Sequence, residues 1–204
     1  VAGFSILLKP NGVATFEFPH LLKLVNENQF DTIYHEHFSY LSLTALEAIF
    51  KENGLQIFDV EEHTTHGGSL RLFAQRSDTG VQIVSEQVIK LRKREMDAGM
   101  NSDNFYKNFQ EKANIVKDDL LNFLIKAKQD GKKVVAYGAA AKGNTLLNYA
   151  GIRPDLLSYV VDKSPSKQGK YMPGSRIPIH TEQFLKDDKP DYVLILPWNL
   201  KSEV

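Results

Sequence analysis

The sequence predicts an α/β protein with a parallel sheet in its C-terminal half, and three observations carry that prediction. The β-type run Lys133-Val-Val-Ala-Tyr137 passes directly into the small residues Gly138-Ala-Ala-Ala-Lys-Gly143 and a helical stretch through Tyr149. A second run, Leu157-Ser-Tyr-Val-Val161, ends in an acid, Asp162. A third, Asp191-Tyr-Val-Leu-Ile-Leu196, follows helical spacing around Glu182-Gln-Phe-Leu185. Strand, glycine turn, helix, then strand ending in an acid is the order of a Rossmann-type half.

The N-terminal part reads differently. Ile6-Leu7-Leu8 ends a helix before the turn Lys9-Pro10-Asn11-Gly12, and Val13 to Phe18 alternates as a strand closed by Pro19. Thr44 with Glu47 three residues on has the form of a capping box for a helix through Phe50, ended by Asn53-Gly54. Leu55–Val60 and Ser69–Ala74 alternate and are joined by a polar loop, which predicts an antiparallel hairpin. Strand patterns give way to helical ones around Ser77-Asp-Thr-Gly80, where a domain boundary is placed. Helical spacing then runs over 81–96 and 102–129, the second with Phe105, Phe109, Ile115, Leu120 and Leu124 inward.

Composition excludes several classes. Lys plus Arg and Asp plus Glu are each 25, so no net field points to nucleic acid or an anionic membrane. No apolar run approaches the roughly 20 residues of a membrane-spanning helix. With no cysteine there are no disulfides or thiolate metal sites, which fits a cytoplasmic protein. The chain starts without Met in mid-pattern and stops where a helix begins at Pro197-Trp198, so both ends are expected to be cut from something longer.

Chemistry concentrates in Tyr34-His35-Glu36-His37. An imidazole can take and return a proton near neutral pH, a carboxylate can orient it, and a phenol can steady an oxyanion. The same residues admit two other readings: a metal held by His35 and His37, or a purely structural hydrogen-bonded turn. In His66-Gly67-Gly68-Ser69-Leu70-Arg71, the glycines would let backbone approach an anion, with Ser69 and Arg71 donating to it; an ordinary hairpin turn needs the same glycines. At Gly138–Thr145, a helix start and Lys142 suit a phosphate, although the turn lacks the full dinucleotide pattern. Asp162 stands where a ribose-binding acid would. The loop to Gly174 carries Lys167, Lys170 and Tyr171, which could line a ligand or simply be solvated.

Five stretches together resemble the sugar-nucleotide C-methyltransferase family: Phe30–Ser42, His66–Arg71, Tyr137–Asn144, Val161–Gly169 with Met172-Pro-Gly174, and Pro197-Trp-Asn199. The resemblance implies an S-adenosylmethionine-dependent transfer of a methyl group to a carbon beside the ketone of a nucleotide-diphosphate sugar, in deoxysugar biosynthesis. It implies the tail of a Rossmann-like methyltransferase sheet (residues 1–76) followed by a second Rossmann-like α/β domain (77–204). The family's cofactor loop, ribose acid and zinc-binding segment have no counterpart here. The main cofactor site is therefore expected upstream of Val1, and this stretch is expected to be inactive alone, with the missing N-terminal part as its partner.

The family's Tyr-x-Glu-His element falls on Tyr34, Glu36 and His37. His37 would remove the acidic C–H, Tyr34 would hydrogen-bond the enolate, and Glu36 would hold His37 or a sugar hydroxyl. His35, His66, Gly67, Gly68, Ser69, Arg71, Tyr137, Lys142, Asn144 and Lys167 are the expected substrate contacts, with His66, Arg71 and Lys142 on the diphosphate; no metal ligand is assigned. The alternative is a binding module without chemistry, for a nucleotide sugar or a dinucleotide.

Overall fold

The computed structural model describes all 204 residues, and they fall into two compact units. Unit 1 comprises residues 1–29 and 38–109, and unit 2 comprises 30–37 and 110–204. The switch in pattern near residue 77 is thus not where the units part. Val88 and Leu91 of the first helix after it are buried in the core of unit 1.

Unit 1 begins with α1 (Ala2–Leu7), β1 (Val13–Pro19) and α2 (Leu21–Asn26). After the excursion into unit 2 come α3 (Leu43–Glu52), β2 (Leu55–His63), β3 (Ser69–Arg76) and α4 (Glu86–Asp97). The expected hairpin is present, with β3 central in an antiparallel β1-β3-β2 sheet. Alternation puts Leu55, Ile57, Val60, Leu70, Leu72 and Ala74 on one face, where Phe50 and Leu46 of α3 meet them. Phe50, 1% exposed, contributes about 1.5–3 kcal/mol by burial.

The cap of α3 differs from expectation. Ser42 caps it, its hydroxyl accepting from the Ala45 amide at 3.1 Å. Thr44 is inside the helix because Glu95, from α4, takes both its amide and its hydroxyl and also accepts from the Leu43 amide at 2.8 Å. A carboxylate at a helix N-terminus satisfies orphan amides and meets the positive end of the dipole.

His20 is wholly buried, with neither ring nitrogen hydrogen-bonded and Nδ1 3.6 Å from Glu62 Oε1. Burial holds its pKa below the usual imidazole value, against the pull of Glu62 and Glu95, while Arg94 and Lys23 add to the depression. The unfolded chain binds a proton near pH 6.5 that the folded one resists, so stability present above that value is lost as pH falls through it. The urea midpoint of unit 1 is expected to drop between about pH 7 and pH 5, and His20→Leu to flatten that slope. An equal slope in the variant would place the effect elsewhere.

Unit 2 contains the 3-10 turn Phe30–Thr32, all but the first residue of α5 (Phe109–Gln129), β4 (Val134–Tyr137), α6 (Ala141–Tyr149), β5 (Val160–Val161), β6 (Ile179–His180), α7 (Glu182–Asp188) and β7 (Tyr192–Ile195). The sheet is parallel, in the order β6-β5-β4-β7, as the Rossmann pattern predicted. Val134, Ala136, Val160, Leu147, Leu157 and Leu196 form its core with Leu124 and Ala127 of α5. Two details depart from the sequence reading. Residues 102–108 are not part of the long helix, and Ile115 is 52% exposed. No helix in the chain is long and apolar enough to cross a membrane.

Candidate functional site

Tyr34 to His37 folds as a tight turn, closed by the His37 amide donating to the Tyr34 carbonyl at 2.9 Å. The half-buried His37 ring lies against Tyr34, centroids 4.2 Å apart and ring planes tilted by 34°. Its Nδ1 lies 2.8 Å from the carbonyl oxygen of Thr32, an acceptor only, so Nδ1 carries the hydrogen. That contact sets the neutral ring's tautomer and puts the basic lone pair at Nε2. The orienting role expected of Glu36 is therefore filled by a backbone carbonyl five residues upstream, and Glu36 itself is exposed.

Tyr34 and His35 line a cavity of about 370 Å³ within unit 2. Opposite them the wall is built by Ala139–Ala141, Asn144 and Thr145 at the start of α6, and the floor and rim by Ser166, Lys167, Lys170, Tyr171, Met172 and Ile179. Ala140 is the N-cap of α6 and offers no side-chain cap, so the helix opens toward the cavity with backbone amides and a positive dipole. Lys167 Nζ is anchored 2.9 Å from the Ala139 carbonyl. The arrangement sets the Tyr34 phenol and the His35 side chain against an amide-lined wall with two lysines, while His37 is not among the lining residues.

Several expected contacts have other partners. Ser69 and Arg71 both donate to Glu17, at 2.7 and 2.9 Å, and Arg71 also reaches Glu61. The Ser69 and Arg71 donors hold Glu17's pKa at about 2. Their anion is thus an internal carboxylate, and a diphosphate role is not carried forward for them. His66, Gly67 and Gly68 form the hairpin turn with φ of 55°, 94° and 126°; the two glycines adopt such angles without strain, and His66 is a non-glycine residue in the left-handed region. These residues belong to unit 1, whereas the cavity is in unit 2.

Lys142 is 7% exposed, its Nζ 3.1 Å from Asn199 Oδ1 and 4.5 Å above the Trp198 ring. Burial pushes its pKa down, while Asp31 opposes the shift. It faces the interior, so a phosphate contact is not assigned to it either. Tyr137 donates to Glu182 at 2.6 Å, which raises the phenol's pKa to about 12. Asp162 accepts from the amides of Ala139 and Ser164 at 2.7 and 2.8 Å, and Lys167 lies 3.3 Å away. An adenosine ribose would have to displace these bonds, so the turn does not fit S-adenosylmethionine or a dinucleotide. No group of three or more His, Asp or Glu side chains is placed to hold a metal ion.

A family model described as the C-methyltransferase C-terminal domain matches residues 64–204. The chain belongs to this C-methyltransferase family. It is similar to the C-methyltransferase NovU of Streptomyces niveus, 37% identical over 202 residues that cover 99% of this chain and 48% of that protein. The chain thus spans about half the length of the curated relative it matches. The family membership bears out the resemblance read from the five stretches. Sequence reasoning missed Asp31 and Thr32, whose roles depend on partners far along the chain or on the shape of a turn.

Proposed function

We propose that this chain provides the sugar-binding and deprotonating part of an S-adenosylmethionine-dependent C-methyltransferase acting beside the ketone of a nucleotide-diphosphate sugar. The observation that supports the reading is the His37–Thr32 contact, which puts the neutral ring's hydrogen on Nδ1 in a turn whose members Tyr34 and His35 line the cavity. When bound, S-adenosylmethionine supplies an electrophilic methyl group; no residue of this chain is assigned to hold it.

The steps assigned to this chain are few. The uncapped start of α6 with Lys167 and Lys170 takes the diphosphate, and the apolar lining of Met172 and Ile179 excludes water from the sugar. His37 Nε2 accepts the proton from the carbon next to the carbonyl. The electron pair moves onto the ketone oxygen, where the Tyr34 phenol donates a hydrogen bond to the enolate. Thr32's carbonyl stabilises the imidazolium that forms, through the same Nδ1–H.

Calorimetry with a thymidine diphosphate keto sugar tests the binding half. Lys167→Ala is expected to weaken binding about tenfold, close to the ~1.5 kcal/mol of one charge-assisted hydrogen bond. Binding of NAD with no response to the sugar nucleotide would overturn the reading in favour of a dinucleotide module.

A further inference from the structure

The segment that carries the histidine turn is held in unit 2 by a buried polar cluster. Asp31, 6% exposed, accepts the Trp198 indole N–H at Oδ2, 2.7 Å away. The ammonium of Lys142 lies over that indole and on Asn199. Phe30 adds an aromatic contact to Tyr149 at 5.2 Å. Residues 29 and 38, at either end of the octapeptide, belong to the other unit, so its conformation within unit 2 depends on such contacts.

A buried carboxylate and ammonium are weak stabilising devices, since well-packed apolar groups in their place often do as well or better. What a buried, fully bonded polar cluster does give is a fixed geometry. Asp31 is one residue from Thr32, which is 2% exposed; burial pushes the Asp31 pKa up, against the Trp198 indole, the Lys142 charge and the Thr32 amide, which favour the carboxylate. The carbonyl of that same Thr32 holds His37 Nδ1. The bonded path therefore runs from Trp198 through Asp31 and Thr32 to the imidazole.

We propose that Asp31 and Trp198 are positioning residues which, through the Thr32 carbonyl, fix the tautomer and orientation of His37. This rests on His37 being the base, but its test does not. In the ¹⁵N-labelled 204-residue chain, imidazole nitrogen shifts should show neutral His37 as the Nδ1–H tautomer. Trp198→Phe, which keeps a ring beside Lys142, and Asp31→Asn should move those shifts toward an averaged or Nε2–H pattern. In the enzyme that carries this chain, both should lower kcat about 10- to 100-fold with KM within about twofold. Wild-type His37 in the Nε2–H form, or variants that keep the wild-type tautomer, would overturn the proposal. Should a variant lose its fold, the wild type decides. Titration of Asp31, followed at its carboxyl carbon, must carry the His37 ring shifts with it, and shifts indifferent to that step would refute the path. No substrate is used, so failure of the methyl-transfer reading is seen separately, as lack of turnover with intact NMR behaviour.

Discussion

Replacing His37 by alanine is expected to reduce methyl transfer roughly 10²–10⁴-fold, the contribution of a placed general base. Binding of the sugar nucleotide should stay within about twofold, because the diphosphate contacts proposed here, α6, Lys167 and Lys170, are untouched. The split matters. An imidazole that only shaped the turn would, when removed, disturb the tilted Tyr34 ring contact and weaken binding together with rate. Turnover near the wild-type level would remove His37 from the mechanism.

Gly138→Ala is expected to cause the largest loss of stability of the substitutions considered. Gly138 has φ of 90°, a region that costs an L-residue about 1–2 kcal/mol. An added Cβ would also stand 2.5 and 2.7 Å from Cδ and Cγ of Pro197, and such overpacking typically costs about 1–3 kcal/mol. The sum is about 3 kcal/mol. Pro197 precedes Trp198, so relief of the clash would draw the indole away from Asp31. Trp198 is the chain's single tryptophan, and its fluorescence in urea would report both effects. A midpoint unchanged from wild type would contradict the packing described here.

The parallel sheet was legible because its central strands β4 and β5 are buried on both faces and appear as near-continuous apolar runs, Val134-Val-Ala136 above all. The hairpin was legible through its alternation and its paired glycines. Local signals failed where a distant partner decides. Thr44 looks like a cap until Glu95, 51 residues on, takes its amide and hydroxyl. Leu157 to Tyr159 have strand character, but ladder pairing is confined to Val160 and Val161, opposite the two-residue strand β6. Arg71 and Lys142 have the chemistry of phosphate ligands, and only the fold reveals that Glu17 and Asn199 already engage them. The tetrad itself stands out by composition. Its tautomer does not, because a backbone carbonyl leaves no trace in side-chain spacing, and Asp31 meets Trp198 across 167 positions.

Washing solvent deuterium into the sugar with the methyl donor withheld isolates the proton step from alkylation. An enzyme carrying this chain should exchange the hydrogen on the carbon beside the ketone, and His37→Ala should stop that exchange while the sugar nucleotide still binds. Exchange that proceeds at the wild-type rate without the imidazole would contradict the account at its centre.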